Sequence, residues 1–392
     1  MKRLILIFMT ALLLAGCAVS PSDPETTTMP AETTVPINTV DEMLAAMTLR
    51  EKVGQLFIIR PDTLDPDQRP EQIMDPYADG VTAVSEKMAE RLEQYPAGGV
   101  ILFAKNLVSP EQLIQFNRDL QSISSVPLFL CVDEEGGLVA RLANHDAFDL
   151  PRYPNAAVVG FSGDPADARE MGHTIGDYLA GYGFNLNFAP VADVNTNPDN
   201  PVIGSRAFSS DPVIAGQMAS AFADGLEETG VIATFKHFPG HGDTAEDSHS
   251  GLAVVHKTLE ELKTCEFLPF REAASRDMVM TGHIALPNVT GDMVPATLSR
   301  QVVTGILKEE LGFDGLVITD AMEMGAIVET YGSGTAAVEA LRAGCHIILV
   351  PENLEEAFDA VLSALDSGSL TTEWLDETVR KILEFKQMHG IL

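Results

Sequence analysis

Eight short runs of the chain, residues 53–59, 99–103, 127–132, 185–190, 231–235, 278–281, 316–319 and 346–350, are largely apolar and show no polar alternation. A strand with one wet face alternates apolar and polar residues; a run without alternation must be covered on both faces. Amphipathic stretches separate the runs, and the spacing predicts helices over 110–122, 165–182, 212–229, 259–276 and 372–388. Several open on Pro in a first turn or on Ser, Thr or Asp in capping position. Doubly covered strands alternating with helices require a parallel sheet with helices outside it. About eight such units is the tally of an α/β fold of the (β/α)8 TIM-barrel type. A doubly wound open sheet is the competitor, but no Gly-rich phosphate fingerprint follows the first run. The reading is one barrel domain over residues 40–392, and 45% hydrophobic residues are ample for its core.

A barrel fixes where chemistry sits, at the C-terminal ends of the strands and in the loops beyond them. Polar residues gather there. Asp133, Glu134, Glu135, Gly136 and Gly137 follow the third run, and Asp193 with Asn195 the fourth. Lys236 and His237 follow the fifth, Gly282 and His283 the sixth, and Asp320 the seventh. The densest stretch is 236–249, with three histidines, a lysine and several carboxylates, broken by Pro239, Gly240 and Gly242 into a loop.

Taken residue by residue, these groups leave alternatives open. Asp320 suits either a helix N-cap before Ala321 or a reactive carboxylate. Met322 and Met324 beside it read as packing. Asp247, two residues from His249, can hold that imidazole in one tautomer and favour its charged form. Neighbours this close on one loop seldom reach triad geometry with Ser248, and no nucleophile-elbow sequence occurs. His237, His241, Asp243, Asp247 and His249 have the ligand types for zinc, although no His-Glu-x-x-His pattern places them on a helix face. Asp133 with Arg141, and Arg206 on its own Gly-containing loop, suit either recognition of a hydroxyl-rich ligand or loop-bracing ion pairs.

The ends of the composition narrow the setting. With 57 acidic against 25 basic residues, a net charge of −32 argues against nucleic acid or an anionic surface held by charge. Met1-Lys2-Arg3, an apolar run over 4–14 and then Ala15-Gly16-Cys17 describe a secretory signal too short to span a bilayer. Its ending resembles a bacterial lipoprotein signal, with Cys17 as the lipidated residue and 1–17 as the signal peptide. Residues 18–39, rich in Pro, Thr and Glu, read as a tether. Cys131, Cys265 and Cys345 then remain; an odd number in separate segments predicts buried thiols and no disulfide framework.

Residues 47–57, 132–137, 187–193, 236–242 with 247–249, and 317–322 together resemble the family 3 glycoside hydrolases, in their bacterial β-N-acetylglucosaminidase (β-hexosaminidase) branch. The likeness covers 40–392, and the Asp-Ser-His ending at 247–249 is what separates this branch from the β-glucosidases of the family. The resemblance implies Asp320 as nucleophile, His249 as general acid/base and Asp247 tuning it. It implies Asp133, Arg141, Arg206, Lys236 and His237 as sugar-binding residues. The implied activity is retaining removal of terminal β-linked GlcNAc from cell-wall fragments, muropeptides or related glycans. No metal or cofactor is implied, and the chain is expected to be a monomeric barrel alone, held to a bacterial membrane outside the cytoplasm by its lipid only. A β-glucosidase or a GlcNAc phosphorylase on the same scaffold is the nearest alternative, since a neutral histidine base does not repel an incoming phosphate. A non-catalytic glycan-binding lipoprotein is the alternative of another class. Leu138 is a departure, standing where the branch commonly carries Arg.

Overall fold

Each apolar run contributes a buried strand to a single parallel barrel, although the first run opens on the end of the helix Leu49–Gly54. In the computed structural model, which describes residues 40–245, 251–273 and 277–392, the barrel strands are β1 (Phe57–Ile59), β2 (Gly99–Ile101), β3 (Phe129–Val132) and β4 (Leu186–Asn187). They continue as β5 (Thr234–Phe238), β6 (Met278–Thr281), β7 (Leu316–Ala321) and β8 (Ile347–Leu349). Neighbours in sequence are neighbours in the sheet, and β8 returns to pair in parallel with β1, Phe57 opposite Ile348. The remaining seam closes between β4 and β5. Ile232 N–H donates to the Asn185 carbonyl at 2.9 Å, Asn187 N–H to the Ile232 carbonyl at 2.9 Å and Thr234 N–H to the Ala189 carbonyl at 2.8 Å. A closed barrel leaves no edge strand to pair elsewhere. The described residues from 40 to 392 form one unit by their contacts, and the Cys17 signal and the 18–39 tether lie outside the described residues.

The capping residues do what their types dictate. Helices Pro110–Ser122, Pro165–Gly181 and Pro212–Glu227 each carry Pro in the first turn after a capping Ser109, Asp164 or Asp211. Thr371 caps Thr372–Met388. Three expectations change. The helix expected over 259–276 is two short ones, Leu259–Thr264 and Leu268–Arg271, because Pro269 cannot continue a helix and instead opens the second; its end, 274–276, lies outside the described residues. Asp320 is not a cap: β7 runs on to Ala321 and the next helix, Gly325–Val328, starts after Met324. Cys131 and Cys345 are buried free thiols, but Cys265 is only half-buried.

Candidate active site

Three local devices bring the polar residues to one cavity at the C-terminal end of the strands. The first is a small hairpin after β3, Glu134–Gly136 paired antiparallel with Val139–Ala140. Gly136 and Gly137 turn it at φ 88° and 60°, and a Cβ on Gly137 would lie 2.0 Å from the Asn155 Oδ1. Strand alternation then puts Asp133 and Glu135 on one side and Glu134 on the other. Glu134, fully buried, accepts from Leu142 N–H at 2.8 Å, Ala143 N–H at 2.9 Å and the Tyr178 hydroxyl at 2.9 Å, and burial pushes its carboxyl up. That residue braces the hairpin. Asp133 and Glu135 face the cavity.

The second device is β5 itself, which carries Lys236 and His237 within the strand rather than beyond its end. Lys236 is 3% exposed and donates to Asp133 at 2.9 Å, while its Nζ lies 2.6 Å from Glu135. Glu135 in turn takes a two-pronged contact from Arg206, 2.9 Å to Nε and 2.7 Å to Nη2. Burial raises the Asp133 and Glu135 carboxyls, but Lys236 with Arg141, and Arg206 with Lys236, pull them below the usual carboxylate range. The same pairs hold the Lys236 ammonium above its ordinary value against burial. Arg141 stands 3.6 Å from Asp133, and its buried Nε has no hydrogen-bond partner among the described residues. His237 is held by Asp193, fully buried, whose carboxylate meets Nδ1 at 2.7 Å and accepts from His241 N–H at 2.6 Å.

The third device is the end of β7. Asp320 lies in the cavity wall, its Oδ1 accepting from the N–H of Ala321 at 2.8 Å. Burial raises its carboxyl, but His237 and His283, with the Ala321 hydrogen bond and Lys236, bring it below the ordinary range. His283 is itself fixed, Nδ1 to the Thr297 hydroxyl at 2.9 Å and Nε2 to the Ala321 carbonyl at 3.0 Å. The result is an anion aimed into a cavity of about 420 Å³ that Asp133, Arg141, Arg206, Lys236 and His237 also line. All five candidate binding residues thus surround the candidate nucleophile. His249 and Asp247 lie outside the described residues.

Sequence reasoning put Glu135 on the rim without a role, and passed over Arg60 and Glu323. The period-two step from Asp133 was the available signal for Glu135. Arg60 and Glu323 carried none, being 263 residues apart; in the cavity wall Arg60 Nε donates to Glu323 at 3.1 Å and the guanidinium stacks 3.7 Å above the Phe103 ring. Met322 packs in the core, and Met324, also buried, lines the cavity wall. Of the zinc-type residues, His241 Nδ1 meets the Thr244 hydroxyl at 2.7 Å and Asp243 accepts from Thr196 at 2.9 Å. Among the described residues no three His, Cys, Asp or Glu side chains come together in a metal-binding group.

The sequence model of the glycosyl hydrolase family 3 N-terminal domain matches residues 48–385. The chain belongs to glycosyl hydrolase family 3. Its relatives include β-hexosaminidase A of Pseudoalteromonas piscicida, 34% identical over 78% of this chain and 56% of that protein. The β-hexosaminidase of Xylella fastidiosa strain 9a5c is 36% identical over 71% of this chain and 84% of that protein. A solved family 3 β-N-acetylglucosaminidase from Paenibacillus superposes with a TM-score of 0.80 at 39% identity, over 88% of this chain and 63% of that one. The chain therefore spans under two thirds of the length of the Pseudoalteromonas and Paenibacillus proteins.

Proposed function

We propose that this chain is a retaining exo-β-N-acetylglucosaminidase. The observation that carries the reading is Asp320, an ionised carboxylate in the wall of a cavity that Lys236, His237 and the Asp133/Arg141/Arg206 cluster also line. Asp320 attacks the anomeric carbon of a terminal β-GlcNAc as the glycosidic bond breaks, and His249, backed by Asp247, gives its proton to the departing oxygen. The neutral His249 then takes a proton from water, whose oxygen displaces Asp320 and restores both groups. Asp133, Lys236, Arg141 and Arg206 hold the sugar hydroxyls, with the unpartnered Arg141 Nε as a donor in waiting. The named relatives support GlcNAc as the sugar. Residues 1–17 support an enzyme tethered outside the cytoplasm through a lipid on Cys17, acting on cell-wall fragments.

Hydrolysis of aryl β-GlcNAc beside aryl β-glucoside, each with and without phosphate, tests the reading. Free GlcNAc from the first alone is the expected product. A sugar 1-phosphate would make the enzyme a phosphorylase, turnover of the glucoside alone a β-glucosidase, and no turnover by folded protein a binding protein. His249→Ala is expected to lose more activity on poor leaving groups than on activated aryl glycosides; equal losses would remove its proton-donor role. Labelled palmitate retained by Cys17→Ala would exclude the anchor.

A further inference from the structure

At the strand starts, the end of the barrel opposite the cavity, a lysine and a histidine meet in a way that fixes the protons on both. Lys308, on the helix Gln301–Glu310 between β6 and β7, places its Nζ 3.0 Å from Nε2 of His346, the residue just before β8. The other ring nitrogen of His346, Nδ1, accepts from the Val317 N–H of β7 at 2.9 Å. A neutral imidazole has one donor and one acceptor nitrogen. With Nδ1 accepting, the ring proton sits on Nε2, and Nε2–H donates to Lys308. An ammonium has no lone pair to accept it, so the amine is neutral. The reverse arrangement, an ammonium donating to Nε2, would set a proton on Nδ1 against the Val317 N–H. His346 is 8% exposed, and burial, with Lys308 and Lys381 nearby, holds it far below its ordinary value and excludes the doubly protonated ring.

The surroundings keep the amine in that state. Burial, with Lys381 and Arg300, pushes Lys308 down to about 8. Two groups oppose this weakly. Cys345 is a buried thiol that burial pushes up to about 11, and Asp314 is engaged by Lys381 at 2.7 Å. The Thr304 hydroxyl donates to the Ala343 carbonyl at 2.7 Å. The amine rests over Gly344, where a Cβ would lie 3.6 Å from Nζ. Lys308 is half-buried rather than sealed, so a small molecule can reach it.

We infer that Lys308 is a nucleophilic amine and a covalent site for small aldehydes, kept neutral by the His346 ring. The hydrogen bond from Nε2–H opens, and the Nζ lone pair attacks the carbonyl carbon while the carbonyl π pair moves to oxygen. Both amine protons leave with that oxygen as water, and a C=N bond remains; no oxidant or reductant enters. The product suits the site. An imine nitrogen keeps a lone pair, so Nε2–H regains its acceptor. An acylated nitrogen gives that pair to its carbonyl, so the site favours an aldehyde over an acyl donor. No residue of the proposed glycosidase mechanism takes part.

The test is reductive methylation of the full chain with limiting isotope-labelled formaldehyde and cyanoborohydride near neutral pH, followed by peptide mapping. The reductant serves only to trap the imine. Lys308 is expected to take label about tenfold faster than the exposed Lys87, because far more of it is neutral even after its lower basicity and burial are allowed for. Lys87 is the reference because its hydrogen bond to Asp67 holds it above the ordinary value. The Lys308 rate should level off from about pH 9 while that of Lys87 climbs beyond about pH 10. Equal labelling of the two lysines, or a Lys308 rate that climbs alongside Lys87, overturns the assignment. His346→Gln offers Nζ an amide oxygen that an ammonium can use, and is expected to bring Lys308 down to the Lys87 level. Unchanged labelling in that variant, native by circular dichroism, also overturns it; if the variant does not fold, the wild-type rates and pH profile decide alone.

Discussion

The two ends of the barrel bury charge in opposite ways. At the C-terminal end Lys236, Arg206, Asp133 and Glu135 form a chain of partners, each compensating the next, around an open cavity. At the N-terminal end Lys386 has no carboxylate in hydrogen-bond reach among the described residues. Its Nζ donates to the Gln55 Oε1 at 2.9 Å, the Gly98 carbonyl at 2.9 Å and the Pro127 carbonyl at 2.7 Å, and it lies 4.7 Å from the Phe129 ring centre. Those acceptors sit just before β1, β2 and β3, so the fully buried lysine ties three strand starts together. Burial pushes its ammonium down to about 7. One end keeps its charges ionised around a cavity; the other uses one polar group as a structural plug.

Changes at the two ends should therefore separate activity from stability. The largest effect belongs to Asp320→Asn, expected to cut turnover by at least about three orders of magnitude while circular dichroism stays native. Near-normal turnover would place the nucleophile elsewhere. Lys236→Met should cost both properties, about 3–5 kcal/mol in a urea midpoint because Asp133 and Glu135 lose their shared partner, together with most of kcat/KM. A variant as stable as wild type would show that Arg206 and Arg141 alone suffice for those carboxylates.

The pH dependence sharpens the contrast further. Lys386 binds a proton less readily folded than unfolded, so unfolding free energy should rise as pH climbs from about 7 toward the ordinary lysine value of 10.5. Lys386→Met should flatten that rise and leave kcat/KM near wild type; an unaltered slope in denaturant titrations would assign it to another group. Asp133, Glu135, Asp193 and Asp320 are all held below their ordinary values of 3.8 to 4.5, so their contribution is present above that range and lost as pH falls beneath it. Both ends thus lose stability on acidification, in windows several pH units apart. The smallest effect is Leu138→Arg on the hairpin tip. At 72% exposed it should shift stability by no more than about 0.5 kcal/mol, and a larger loss would mean the tip packs on something.

Much of the barrel was legible because its physics is local. A short run that is apolar without alternation, set between amphipathic helices, reads as a doubly covered strand, and all eight runs carry one. Caps such as Ser109, Asp164 and Thr371 act within three residues, so they too could be read in sequence. Pro269 was equally local, yet the 259–276 periodicity masked it. The site divides along the same line. That Asp133, Lys236, His237 and Asp320 end on one rim followed from barrel geometry and strand position. Whether Asp320 caps a helix or faces a cavity did not, since it depends on β7 continuing one residue further. Which carboxylate meets which guanidinium is decided by side chains that approach from different strands: Glu135 with Arg206 across 71 residues, Arg60 with Glu323 across 263. The sequence by itself determined the class of fold and the rim on which polar groups collect, because burial and strand period act along the chain. Only the tertiary structure decided the partners, the ionised state they enforce and the cavity they line, because those depend on distances between strands that closure of the barrel sets.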